Sequence, residues 1–157
     1  YESERVVQQA KIDAAVLRTI IIYGVVDDKQ RSNVVIWTIN SLRQQKDINV
    51  ISDQMRSPTL AEDLADACVQ AALNRATGIY HVSGSETISI LDMVNRTADF
   101  FQLDKKYIHP ITTAQLNQPA KRPLLTGFNI DKAKRELNFR PHTLQQGLEI
   151  VKKQLEN

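Results

Sequence analysis

The run Ala14–Tyr23 (AAVLRTIIIY) does most to limit what this chain can fold into. It is almost unbroken in apolar and β-branched residues and is closed by Gly24. A half-exposed strand alternates polar with apolar residues. A continuous run is the pattern of a strand buried on both faces, as in a parallel sheet. Helical patterns stand on either side of it. Glu2–Ala10 reads as the tail of a helix, since it enters with no start signal. Asn33–Gln45 carries Val34, Val35, Trp37, Ile39 and Leu42, and its length favours a helix. Strands interleaved with helices define an α/β architecture.

Val50–Ala72 holds a strand end, a turn and a helix in one short stretch. Leu60, Leu64, Ala67, Cys68 and Ala71 follow the 3-4 spacing of a buried stripe, which puts the Cys68 thiol on the apolar face, buried and inert. Thr59 and Glu62 have the spacing of a capping box, so the helix is expected to start near Thr59. Gly78 is expected to end it in the left-handed conformation. Ile48–Ser52 and Ile79–Ser83 read as strands, and Ser89 caps a helix over Ile90–Gln102 with Leu91, Val94, Ala98 and Phe101 inward. Tyr107–Thr112 and Arg122–Phe128 read as extended, with loop between them. Asp131 is expected to cap a short helix, Lys132–Leu137. Thr143 opens a last helix with Leu144, Leu148, Val151 and Leu155 inward. The pattern contains no internal repeat and no interdomain linker.

Composition narrows the function classes. Hydrophobic residues make up 42% and charged residues 24%, the balance of a globular chain. A net charge of +2, from 20 basic and 18 acidic residues, gives no reason to expect a nucleic acid or membrane partner. No apolar run approaches the roughly 20 residues of a membrane span. A single cysteine cannot form an internal disulfide and fits a reducing, cytoplasmic setting.

Candidate chemistry is sparse. His81, His109 and His142 are far apart and lack neighbouring ligands at metal spacing, so each reads as structural and no metal is expected. G-x-S-x-G, P-loop and dinucleotide glycine motifs are all absent from the sequence. Glu62 and Asp63 sit in a first helical turn, where carboxylates suit the helix dipole. Arg18 is a lone charge in an apolar strand and needs a partner, either an ion pair or a ligand. Arg56 and Arg122 each stand beside a proline-fixed turn expected to point the side chain outward. Two such guanidinium groups could clamp a diphosphate bidentately, or both could be solvated surface arginines.

Four segments, taken in order, resemble the extended short-chain dehydrogenase/reductases, most nearly the dTDP-4-dehydrorhamnose reductase branch. They are LRTIIIYG (Leu17–Gly24), Asn33-Val34, DQMRSPTLAEDLADA around Arg56-Ser57-Pro58-Thr59, and Arg122-Pro123 with the late FNIDKAKREL run closed by Phe139 and Pro141. Asn138 stands where the family signature has glycine. The resemblance implies the C-terminal part of a Rossmann-type parallel sheet plus a small substrate-binding lobe, with all of 1–157 as one such unit. It implies a nucleotide-diphosphate sugar contacted by Asn33, Arg56 and Arg122, with Tyr23 near the sugar. It places Thr19 and Ile20 beside the nicotinamide of NADP or NAD.

The family's Tyr-x-x-x-Lys pair and its glycine-rich loop would both precede Tyr1. On this resemblance the chain is a fragment without catalytic residues of its own, inactive alone. Its parent would reduce the C4 keto group of a dTDP-4-keto-6-deoxy sugar. The alternatives are a nucleotide-sugar epimerase or dehydratase, or a non-catalytic regulatory or binding relative of the same fold. A half sheet would also expose a strand edge through which copies pair, swap or aggregate.

Overall fold

A computed structural model of the chain describes residues 2–10, 12–26, 32–116, 119–120 and 122–156. The apolar run does form parallel sheet, but in two pieces. Helix α1 (Glu2–Gln9) leads into β1 (Ala15–Arg18), and β2 (Ile22–Tyr23) follows after a break. Ile21 lies between them at φ 40, in the left-handed region. The break has a cause. The Thr59 hydroxyl donates to the Ile20 carbonyl at 2.8 Å, and the Thr59 amide donates to Ile21 O at 3.0 Å. The backbone thereby leaves one partner strand and joins another. All four residues of β1 are half-buried, not sealed on both faces as the sequence suggested.

After α2 (Val34–Arg43) come β3 (Ile48–Ile51), β4 (Met55–Arg56) and β5 (Thr59–Leu60), then helix α3 (Ala61–Leu73). Strand β6 (Gly78–His81) pairs in parallel with β1, with Ala15 opposite Gly78 and Arg18 opposite His81. β2 pairs in parallel with β5. β7 (Ile88–Ser89) runs antiparallel to β4 and leads into α4 (Ile90–Phe100). Beyond a 3-10 turn at Lys105–Tyr107, β8 (Ile108–Ile111) pairs in parallel with β3. Finally β9 (Leu125–Thr126) joins the other side of β4, and α5 (Asp131–Glu136) and α6 (Leu144–Glu156) complete the chain. β4 is therefore the middle strand of a small sheet ordered β7-β4-β9.

Apolar packing joins these pieces. Tyr23, Val35, Ile39, Leu60, Met93 and Leu148 form a core between β2, α2, α4 and α6. A second core under β6 and α5 contains Ala67, Tyr80, Val82, Leu137 and Phe139. A third, with Leu42, Val50 and Val94, seats α2 and α4 on β3. Among the described residues, no helix is long and apolar enough to cross a membrane.

Several local expectations hold. The Ser89 hydroxyl accepts from the Asp92 amide at 2.9 Å and starts α4. Thr143 and Gln146 form a reciprocal box: the Gln146 side chain accepts from the Thr143 amide at 2.9 Å, and the Thr143 hydroxyl from the Gln146 amide at 3.3 Å.

Others are corrected. Thr59 is a strand residue and not the cap of α3; Leu60 takes the cap position without a side-chain bond. Gly78 has the expected positive φ, 87, but it opens β6 instead of ending α3; Arg75, at φ 48, takes the left-handed position after that helix. Ile130, not Asp131, caps α5, and the Asn129 side chain accepts from the Asp131 amide at 2.9 Å. Cys68 is exposed. The buried line on α3 is Asp63, Ala67 and Ala71, and one residue of helix turns Cys68 about 100° away from it. Leu155 is likewise exposed, since the inward line of α6 ends at Val151.

Candidate functional site

Arg56 is the most unusual polar residue of the interior. It is 8% exposed, in the central strand of the β7-β4-β9 sheet. Its Nη1 donates to the carbonyls of Met55 at 2.7 Å and Leu124 at 3.3 Å; its Nη2 donates to the Gln54 side-chain oxygen at 2.7 Å. Every acceptor described for it is uncharged. Burial first, and then the charge of nearby Arg122, push its pKa below the ordinary arginine value. The sequence expectation that Arg56 points outward is thus corrected: β9 lies against β4 and covers it. Arg122 is exposed and lies just before β9, so the sheet brings the two arginines within electrostatic reach of each other.

The backbone around them is tightly fitted. A Cβ on Gly84 would lie 1.9 Å from the Pro58 carbonyl oxygen, so only glycine allows the two loops to approach this closely. Ser57 and Thr87 share a hydroxyl–hydroxyl bond at 3.0 Å, and a Cβ on Gly127 would crowd both, at 3.4 and 3.3 Å. Three separate loops therefore meet beside Arg56.

The remaining expected site residues lie in different environments. Asn33 caps α2: its Oδ1 accepts from the amides of Val35 at 3.1 Å and Ile36 at 3.2 Å, and its Nδ2 donates to Gly24 O at 2.7 Å. Thr19 and Ile20 are half-buried beyond the carboxyl end of β1, the edge where open α/β sheets take ligands. Thr59 ties them to the arginine loop, for its hydroxyl donates to Ile20 O and meets the Thr19 hydroxyl at 3.3 Å. Tyr23 is 1% exposed and packed in the core. Burial, with the Asp63 and Glu86 charges, raises its phenol pKa.

Arg18 has found a partner, donating to both Glu4 carboxylate oxygens at 2.9 and 2.6 Å and so fastening β1 to α1. Asp63 is also structural: it accepts from the His142 amide at 2.9 Å and ring nitrogen at 2.6 Å, joining α3 to the entry of α6. Among the described residues no cluster could hold a metal ion.

Sequence reasoning missed Asp53, Gln54, Thr113 and Leu124. The polar pair Asp53-Gln54, directly after an apolar strand, was the one visible signal. Nothing local marked Thr113 or Leu124.

These elements make up a mixed α/β fold built on small, mostly parallel sheets. The dTDP-4-dehydrorhamnose reductase of Bacillus anthracis, solved with NADP, superposes with a TM-score of 0.87 at 23% identity, over 98% of this chain and 53% of that one. The UDP-glucuronic acid 4-epimerase of Bacillus cereus, solved with UDP-glucuronic acid and NAD, gives 0.77 at 20% identity, over 99% and 49%. The chain belongs to the RmlD substrate binding domain family, whose pattern matches residues 1–157.

Among curated relatives, methionine adenosyltransferase 2 subunit beta of Xenopus tropicalis is 35% identical over 116 residues, covering 71% of this chain and 35% of that protein. The spore coat polysaccharide biosynthesis protein SpsK of Bacillus subtilis is 26% identical over 145 residues, covering 92% and 49%. The chain thus spans about a third to a half of the length of these relatives.

Proposed function

We propose that this chain is the substrate-binding part of a sugar-nucleotide oxidoreductase related to dTDP-4-dehydrorhamnose reductase, and that Arg56 and Arg122 hold the diphosphate of the substrate. The observation that carries the reading is the buried Arg56 guanidinium, bonded only to neutral acceptors among its described partners, with Arg122 standing just before the strand β9 that pairs with its own. An anion is favoured beside two arginines, and a diphosphate offers each a pair of oxygens. Asn33 would act from the amino end of α2, where a phosphate is also favoured. Tyr23, sealed in the core, would shape the site from behind and not touch the sugar.

A nicotinamide cofactor, NADP or NAD, would supply the hydride when bound. Thr19 and Ile20 fit its edge, being half-buried at a strand carboxyl end, and would bound the nicotinamide on one side. On the family resemblance the Tyr–Lys proton donor would lie outside these residues, so the chain would bind and orient but not transfer the proton. An exposed single thiol supports a reducing, cytoplasmic setting.

Isothermal titration of dTDP into the protein tests the reading. Arg56→Ala should weaken binding by about 1.5–3 kcal/mol, the range for hydrogen bonds to a charged group. Arg122→Ala should weaken it about tenfold, one charge-assisted contact. Unchanged affinity in both variants would remove the clamp.

The identity with methionine adenosyltransferase β subunits favours a second reading, a non-catalytic companion subunit that uses the same cleft for binding. NAD(P)H oxidation by the intact protein with a 4-keto sugar nucleotide separates the two. Turnover supports the oxidoreductase; dTDP or dinucleotide binding without turnover supports the companion.

A further inference from the structure

Arg56 is held by a chain of three side chains whose polarity is set at its far end. The Asp53 carboxylate accepts from the Thr113 hydroxyl at 2.7 Å and from the Thr113 amide at 2.9 and 3.1 Å. With its hydroxyl proton committed to Asp53, Thr113 can only accept from Gln54, and the Gln54 Nε2 donates to it at 3.0 Å. That contact fixes which way the Gln54 amide faces, so its carbonyl oxygen, and not its NH2, meets the Arg56 Nη2 at 2.7 Å. Gln54 itself is 4% exposed, and its own backbone carbonyl accepts from the Ile90 amide at 3.1 Å. Little freedom remains in the middle of the chain. Reversing the Thr113 hydroxyl would turn a donor against the guanidinium and leave buried groups unpaired.

We infer that Asp53, Thr113 and Gln54 are positioning residues for the anion site: the carboxylate orients the hydroxyl, the hydroxyl orients the amide, and the amide oxygen aims the Arg56 guanidinium. The inference rests on the anion-binding reading of Arg56 given above. It adds that affinity depends on a segment 59 residues away in sequence, brought alongside by the pairing of β8 with β3. Gln54 suits this task because it is neutral. It holds Arg56 in place without cancelling its charge, so the cation stays available to an anion. A carboxylate at the same place would hold the arginine equally well and satisfy it.

The test uses inorganic pyrophosphate and dTDP as calorimetric probes on the protein and on Thr113→Val, Thr113→Ser and Gln54→Glu variants. Thr113→Val, which keeps the volume and loses the hydroxyl, should lower affinity for both probes about five- to tenfold, the worth of one oriented hydrogen bond. Thr113→Ser should restore it to within about twofold, since it keeps the same donor and acceptor. A merely structural role would track side-chain volume and leave the serine variant no better than the valine.

Should Thr113→Val fail to fold, Gln54→Glu carries the test. It should reduce pyrophosphate affinity about tenfold or more by pairing with Arg56 directly. Retained affinity in that variant, or in Thr113→Val while Arg56→Ala abolishes binding, overturns the inference and leaves the anion site standing. If Arg56→Ala changes nothing, the anion reading fails first and takes the inference with it.

Discussion

Gly147 in the second turn of α6 lies directly against Tyr23, and replacing it by alanine should destabilise the protein even though alanine is the better helix former. A Cβ at that position would lie 2.0 Å from the Tyr23 hydroxyl oxygen, 2.9 Å from Cζ and 3.0 Å from Cε2. Helix propensity alone favours the substitution by about 1 kcal/mol. Overlap in a packed core opposes it by typically about 1–3 kcal/mol, and a 2.0 Å approach to a ring that is 1% exposed belongs at the upper end or beyond. The expected net loss is about 1–2 kcal/mol, a fall in melting temperature of roughly 2–8 °C for a chain of this size.

The structure also says which atom is responsible. Tyr23→Phe removes the hydroxyl and leaves the nearest contact at 2.9 Å, which a small tilt of the ring relieves. Urea unfolding of the wild type, both single variants and the double variant gives the coupling energy. It should be at least about 1 kcal/mol, with Gly147→Ala close to neutral once Tyr23→Phe is already in place. A Gly147→Ala variant that is more stable than wild type, or zero coupling to Tyr23, would refute the packing account of the first core.

Further outcomes can be checked independently. Asp63→Ala should cost about 1.5–3 kcal/mol, because it leaves the His142 amide and ring without their buried acceptor; chemical denaturation reads it directly. Burial alone would raise the Glu86 pKa, but the Leu144 amide and Arg96 outweigh it and hold the carboxyl below its ordinary value. Its contribution to stability is therefore present above the ordinary value of 4.5 and is lost as pH falls through the lower folded value. Glu86→Gln should consequently lower the melting temperature at pH 7 and converge with wild type at the most acid pH. Cys68 should react with a thiol reagent stoichiometrically without denaturant; protection until unfolding would contradict its exposure.

What could be read from the sequence was whatever short spacing controls. The Ser89 cap, the strands at Ile48 and Ile108, and the Thr143 start each depend on residues within a few positions of one another, and each is found in the fold. The same local rules failed where a distant segment decides. Thr59 has the spacing of a cap, yet its hydroxyl is drawn to Ile20, 39 positions earlier. Ile21 has the β propensity of its neighbours, yet it takes a left-handed backbone because β2 must leave for β5. At the site, the presence of Arg56 and Arg122 could be read from the sequence. That β9 would cover Arg56, and that Thr113 would orient Gln54, could not, since neither contact leaves a trace in the neighbouring residues.

The parallel pairings also govern how the molecule comes into being. Arg18 and His81, opposite one another on β1 and β6, are 63 residues apart, and the Leu124 carbonyl reaches Arg56 from 68 residues downstream. Chain entropy must be given up over such loops before any ladder bond repays it, so folding should be slow for a chain of this size. During synthesis α2, α3 and α4 all emerge before β9 does. The guanidinium of Arg56 therefore waits, solvated and unaimed, until the chain through Thr126 has been made; its pocket comes into existence later than most of the elements that surround it.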